Sequence, residues 1–399
     1  MTYRMCLECN ICKAKYVFRI SIGYGLEQRH FIKCDICNEE IGVTLKLDQE
    51  NASIETYFTN CVQTEECGTA KVYNLSADFI VPEKYQNQEF ISIPLIQKDL
   101  FANAEEVARL SDSERAKLRR TGTLLAHIDK EWLDIKFCLS QYIMGSKRAF
   151  EIAKMKAGKY DSNSTPPEWL FDFGIRLLHH NEIYVRAIIA KIKNLFNTLQ
   201  GNDFLKYHDS VLFKVNMKQY NDVFKSFFQS YSLFNPLLFC YRNNKEISKG
   251  SLSTFEFDSI KKFYGDAFEC LGTAVDTYAL LANMLKGRKF DEFETLTLKK
   301  YQTDINKSSK INCFHDIDEF KNAILSYDNK IRNGSHHNSM EYDPATQLIS
   351  YSPKELSTKE TIHYFDYMDV CVRIFISCNV LFCVDLFLHY MSKMKNRKS

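Results

Sequence analysis

The chain carries almost no net charge for its length: 52 Lys and Arg against 50 Asp and Glu leave +2 over 399 residues. A whole-molecule field that would draw it onto nucleic acid or acidic lipid is excluded, so any such binding falls to a local patch. The clusters Arg115, Lys117, Arg119, Arg120 and Lys393, Lys395, Arg397, Lys398 are candidates, although each reads more readily as a solvated helix face or a dipole-complementing helix end. No apolar run of signal-peptide length separates Met1 from Cys6, Cys9 and Cys12, so the expected location is cytoplasmic, in a reducing compartment. Internal repeats are lacking outside the cysteine pairs, and there is no clustered Asp/Glu/His pattern of the kind a two-metal centre needs. The longest apolar stretch, residues 370–391, is interrupted by Arg373, Asn379 and Asp385. Such groups are costly in lipid, so this stretch is expected to be a buried bundle helix, with no membrane partner.

What is present is a globular composition, 45% hydrophobic with 30 Phe and 22 Tyr, long enough for two or three domains. The fold class expected is mainly α, with a small N-terminal β module followed by helical domains. Strand-like stretches at 16–22, 41–47, 71–73 and 79–81, with Pro82 and Pro94 as breakers, define a first region, 1–98. From about Asp99 the pattern turns helical: a middle region, 99–205, broken at 162–167, and a last region, 206–399.

Three capping-box patterns, Ser253-x-x-Glu256, Asp316-x-x-Glu319 and Ser357-x-x-Glu360, predict helix starts in the last region. Ile317, Phe320, Ile324, Tyr327 and Ile331 step by three and four, which predicts one helix stopping at Asn333-Gly334 with glycine in a left-handed cap. Residues 342–351 read as a short hairpin before the final helix.

Cys9-Asn-Ile-Cys12 and Cys34-Asp-Ile-Cys37 are two Cys-x-x-Cys knuckles, spaced so that intervening strands can bring four thiolates around one Zn²⁺. Superposing the knuckles puts Cys6 opposite Phe31 and Tyr16 opposite Ile41, which makes Cys6 an apolar packing position. Cys61 and Cys67 could form a third knuckle, but their five-residue spacing is outside the common range and favours packing, the role also expected of Cys138, Cys270, Cys371, Cys378 and Cys383. The first 50 residues or so resemble the zinc ribbon family, at the level of the fold. Four thiolates leave no open coordination position, so the metal is expected to be structural, and the ribbon to be either a nucleic-acid or protein contact or a stabilising cap.

Arg332 precedes His336 and His337 closely enough for a permanent cation and a titratable imidazole to meet one phosphate. Cleavage of RNA needs a proton removed from the 2′-hydroxyl, a proton given to the 5′-oxygen and charge stabilised at phosphorus; histidine suits the first two and arginine the third. Arg332-Asn333-Gly334-Ser335-His336-His337 resembles the signature of HEPN ribonucleases, and the order of long helix, motif helix, hairpin and long helix resembles that family over the last 150–200 residues. Arg120 with His127 lacks this context, and Arg176 with His179 and His180 is too closely spaced.

The resemblance implies a HEPN-like bundle and a metal-independent endoribonuclease leaving a 2′,3′-cyclic phosphate, with no catalytic metal. It further implies a homodimer whose motifs share a cleft, a toxin or antiviral defence role, and a restraining partner or trigger. Arg332 would hold the phosphate, His337 transfer protons, Asn333 orient them and His336 stand in reserve. Some toxin relatives carry a modifiable tyrosine two residues after the histidine, where this chain has Ser339. The alternative expectation is a non-catalytic protein that binds nucleic acid or protein through the ribbon and dimerises through the bundle.

Overall fold

The computed structural model describes residues 2–22, 26–48, 51–77, 80–88, 111, 128–156, 165–178, 180–242, 250–252, 257–336, 340–343, 345–352 and 359–396. Arg115, Lys117, Arg119, Arg120, His127, His179, Ser253, His337, Ser357, Arg397 and Lys398 lie outside these residues.

The N-terminal module begins with β1 (Thr2–Cys9) and β2 (Lys15–Ser21), an antiparallel hairpin closed by the first knuckle. Strands β3 (Glu27–Lys33) and β4 (Glu40–Asp48) repeat the arrangement around the second knuckle. Leu7 pairs with Tyr16 in the first hairpin and Ile32 with Ile41 in the second, so Tyr16 and Ile41 hold the matching places the knuckle superposition predicts. Strand β5 (Ser53–Thr59) extends the second sheet; β6 (Cys61–Thr64) and β7 (Lys71–Ser76) flank the first, in the order β6-β1-β2-β7. Alternation places Met5, Leu7, Phe18, Ile20, Val43 and Leu45 in one small core. Cys6, Val17 and Val72 pack together on the other face of the first sheet.

The helical body is built around the final helix, Tyr364–Asn396, against which Pro166–Leu177, Phe213–Gln229 and Phe257–Ala274 pack. One apolar core runs from Ile128 to Leu388. The final helix is long and apolar enough by composition to cross a membrane, and 83% of its most apolar window is buried inside the protein. A helix apolar on all sides is what the centre of a bundle requires. Its buried acid is satisfied internally. Asp385, fully buried, accepts from His208 (2.9 Å), Asn216 (2.9 Å), Tyr220 (2.8 Å) and Thr277 (3.0 Å). Asn379 donates to the Gly174 carbonyl at 2.7 Å.

Strand β8 (Val81–Pro82) pairs with β9 (Gly250–Ser251), tying the end of the N-terminal region to the body. The expected hairpin is present as β10 (Glu341–Asp343) and β11 (Leu348–Tyr351), and a third strand, β12 (Glu360–His363), joins it. Glu360 therefore lies in a strand and not in the first turn of a helix, and the capping box read at 357–360 is corrected: the final helix begins at Tyr364. A cavity of about 150 Å³, lined in part by Phe31, Lys33, Leu75, Leu252 and Gln347, lies between the two regions.

Candidate functional site

In the knuckles, the residue after each second cysteine, Lys13 and Asn38, adopts a left-handed conformation (φ 64° and 59°). Its amide donates back to the first cysteine's carbonyl, at 3.0 Å to Cys9 and 2.9 Å to Cys34. Two local turns of the same form thus aim four sulfurs at one point. All four lie within 4.8 Å of one another, with Cys9–Cys37 at 3.7 Å and Cys12–Cys34 at 3.3 Å. Zn–S bonds of about 2.3 Å in a tetrahedron place sulfurs roughly 3.8 Å apart, so the set fits Zn²⁺ closely.

The electrostatics agree. Burial opposes ionisation of Cys34, but the Tyr16 hydroxyl at 3.1 Å and the Cys37 and Ile36 amides bring its thiol down to about 6. The Glu39 amide favours ionisation of Cys37, yet burial and the sulfurs of Cys34, Cys12 and Cys9 push that thiol up to about 12. Four thiolates crowded together repel one another; a bound cation removes the conflict. Around this cluster the Asp35 amide donates to the Tyr16 hydroxyl (3.0 Å), and the Asp35 carboxylate accepts from Lys71 (2.8 Å) and Tyr73 (3.0 Å), which fastens the second knuckle to β7. Ile11 and Ile36, at matching positions of the two knuckles, are exposed.

Cys6 and Cys67 are brought side by side, with Cα atoms 5.4 Å apart. The contact follows from the chain path: β6 runs beside β1, and the following turn returns Cys67 over Cys6. Cys61 packs as expected, buried with its thiol 3.3 Å from the Gly42 carbonyl. The five cysteines expected in the helical core are all buried.

The second candidate centre is Arg332. The single helix read from 316 to 331 is two short helices, Asp318–Lys321 and Asn329–His336, separated by a turn in which Ser326 has φ 54°. Asp316 does not cap; it pairs with Lys286 at 2.8 Å, and Ile317 is the residue preceding the first helix. The turn is stabilised from outside. The Tyr264 hydroxyl lies 3.1 Å from the Ser326 carbonyl and 3.0 Å from that of Asp328, and accepts from the Asp328 amide at 3.2 Å. Ser377 accepts from the Leu325 amide at 2.7 Å. Periodicity cannot foresee such partners, because the apolar residues on both sides of the break still face the core.

Arg332 consequently lies inside a short helix and not in the last turn of a long one, and the helix continues through Gly334 to His336. Gly334 is not a left-handed cap. Its lack of a side chain has another reason: a Cβ there would stand 3.0 Å from Tyr351 on β11. Arg332 donates to Glu269 through Nε (3.1 Å) and Nη2 (2.9 Å), and to the Asn333 side chain through Nη1 (3.2 Å). Arg332 and Asn333 thus stand together. His336 ends the same helix, while its side chain and all of His337 lie outside the described residues.

Glu269 also accepts from Lys307 at 2.7 Å, so one carboxylate joins two cations. Motif reading missed Glu269 and Lys307, which lie 63 and 25 residues before Arg332 in the chain. The available signal was a lone acid in the apolar run Ala267-Phe268-Glu269-Cys270-Leu271. Arg176, set aside on spacing, is committed to Glu131 at 2.6 Å and 2.7 Å, in a pair that is 10% and 2% exposed. Lys393 and Lys395 are engaged as well, with Asp209 and with Asn202 and the Phe196 carbonyl. Comparison with known proteins finds no matching family model, no matching curated protein and no matching solved structure.

Proposed function

We propose that this chain is a metal-independent endoribonuclease of the HEPN type, carrying a structural zinc ribbon. The observation that carries the reading is Arg332 beside Asn333 on the 329–336 helix, partly exposed and leading directly into His336 and His337. The β10–β11 hairpin and the long central helix that follow are the setting in which the motif was expected.

In this reading Arg332 neutralises charge building on the phosphate oxygens as the 2′-oxygen attacks phosphorus. His337 takes the 2′-hydroxyl proton and returns one to the departing 5′-oxygen, giving a 2′,3′-cyclic phosphate. Asn333 orients the arginine, and His336 is the second imidazole. Zn²⁺ on Cys9, Cys12, Cys34 and Cys37 holds the ribbon together and takes no part in the chemistry. The active form is a homodimer, and a defence or toxin role restrained by a partner or trigger follows from the need to keep such an activity silent.

The test is cleavage of labelled transfer RNA and total RNA by purified protein in EDTA, beside the Arg332→Ala, His337→Ala double variant. Cyclic-phosphate ends made by the wild type alone are expected. Activity that requires added divalent metal would sink the mechanism.

A second reading is favoured by one contact: the guanidinium of Arg332 is already engaged by Glu269. If that pair is purely structural, the chain is a binding protein whose ribbon contacts nucleic acid or protein, with binding indifferent to Arg332→Ala and His337→Ala.

A further inference from the structure

Arg332 and Lys307 reach the Glu269 carboxylate on different oxygens. Arg332 Nε and Nη2 donate to Oε1 at 3.1 and 2.9 Å, and Lys307 Nζ donates to Oε2 at 2.7 Å. A carboxylate bridging two cations offers two oxygens sharing one negative charge, as do the non-bridging oxygens of a phosphodiester, and arginine and lysine are the side chains that recognise both groups. We propose that Arg332 and Lys307 form a two-cation cradle for a backbone phosphate of RNA, and that Glu269 fills this cradle until substrate arrives. The identity of the anion rests on the ribonuclease reading; the cradle itself does not.

Exposure separates this cluster from an ordinary structural pair. Arg332, Glu269 and Lys307 are 29%, 34% and 40% exposed, open to a polymer, whereas the Arg176–Glu131 pair is closed to solvent. Among the described residues both cations donate to the same carboxylate. Burial opposes ionisation of Glu269, but Lys307 and Arg332 outweigh it and hold the carboxyl below its ordinary value. At neutral pH it is therefore an anion able to compete with phosphate.

Lys307 is positioned by what lies beneath it. Its stem crosses Gly272, one turn beyond Glu269 on the same helix; a Cβ at 272 would fall 2.7 Å from Lys307 Cβ and 2.5 Å from the Tyr327 hydroxyl. That hydroxyl is buried, with no hydrogen-bond partner among the described residues.

When RNA binds, its phosphate replaces the carboxylate between the two cations and Glu269 turns outward to water. Glu269 thereby sets a threshold: a lone phosphate competes poorly, and an RNA strand held at other points competes well.

The experiment is calorimetric titration of inorganic phosphate into the full-length wild type, Glu269→Gln, and Glu269→Gln combined with Lys307→Met. Glu269→Gln is expected to bind phosphate about tenfold more tightly than wild type, the effect of one charge-assisted hydrogen bond, and Lys307→Met to abolish the gain. A folded Glu269→Gln protein without the gain, or a gain indifferent to Lys307→Met, overturns the proposal. If Glu269→Gln does not fold, Lys307→Met alone is measured against a 2′-deoxy oligonucleotide. Its affinity is expected to fall about tenfold and its salt slope by about 0.7, and unchanged values overturn the cradle. Phosphate binding is read without cleavage. A cradle that binds phosphate in a chain that cuts no RNA defeats the nuclease reading alone, and cleavage without the phosphate gain defeats the cradle alone.

Discussion

Asp209 shows how single residues of the body are tuned by neighbours far away in the chain. Its carboxylate accepts from Lys393 at 2.8 Å and from His389, whose other ring nitrogen lies 2.6 Å from the Tyr142 hydroxyl. Burial raises the Asp209 carboxyl, but the hydrogen bonds to His389 and Lys393 outweigh it and bring it to about 2 from an ordinary 3.8. A depressed carboxyl stabilises the fold fully above its unfolded value, and this contribution fades as pH falls through the folded value. Urea unfolding of wild type should therefore weaken between about pH 4 and pH 2, with Asp209→Asn showing a flatter acid limb; equal slopes in the two proteins would refute the assignment. The four clustered cysteines were legible at this scale because each knuckle is four consecutive residues with its own turn. Glu269 was not, because its role exists only where the 257–274 and 329–336 helices meet.

Among the elements, those with continuous local signals were readable. The all-round apolar character of 370–391 gave a central helix, and alternation gave the strands of the ribbon. The stretch 316–336 was misread because an i, i+3, i+4 apolar pattern survives a break when both pieces pack on one core. What decides the break is the supply of backbone partners by Tyr264 and Ser377. Tyr264→Phe should remove that support at the cost of about 1–3 kcal/mol, the penalty for stranded buried backbone groups. Hydrogen exchange should then rise at Leu325 and Asp328 before it rises in the final helix. Uniform exchange across both elements would mean the hydroxyl does not hold the turn. Glu360 presents a related case: pairing of β12 with β11, and its contacts to Lys330 at 2.8 Å and to the Tyr351 hydroxyl at 3.1 Å, prevail over a helix-start pattern.

On the scale of the molecule, the two larger apolar cores among the described residues stand apart, one in the N-terminal β module and one in the helical body. They are joined by β8–β9 and by an ion pair from Lys33, the residue before Cys34, to Asp343 on β10 at 3.2 Å. Separate cores imply separable stabilities. Prolonged chelation, or Cys34→Ser, should unfold the ribbon, read as a loss of near-ultraviolet signal from Tyr16 and Tyr73, while the helical far-ultraviolet signal and its melting persist. Simultaneous loss of both signals would show that the body depends on the metal.

The sequence by itself determined the two knuckles and their four clustered cysteines, the order of β module and helical body, and the central place of the last helix, since each follows from spacing within a few turns of chain. Tertiary structure alone decided the meeting of Cys6 with Cys67 across 61 residues, the break at Ser326 and the capture of Arg332 by Glu269. Those outcomes depend on which distant groups supply a sulfur, a hydroxyl or a charge, and no local pattern of residues encodes the distance between them.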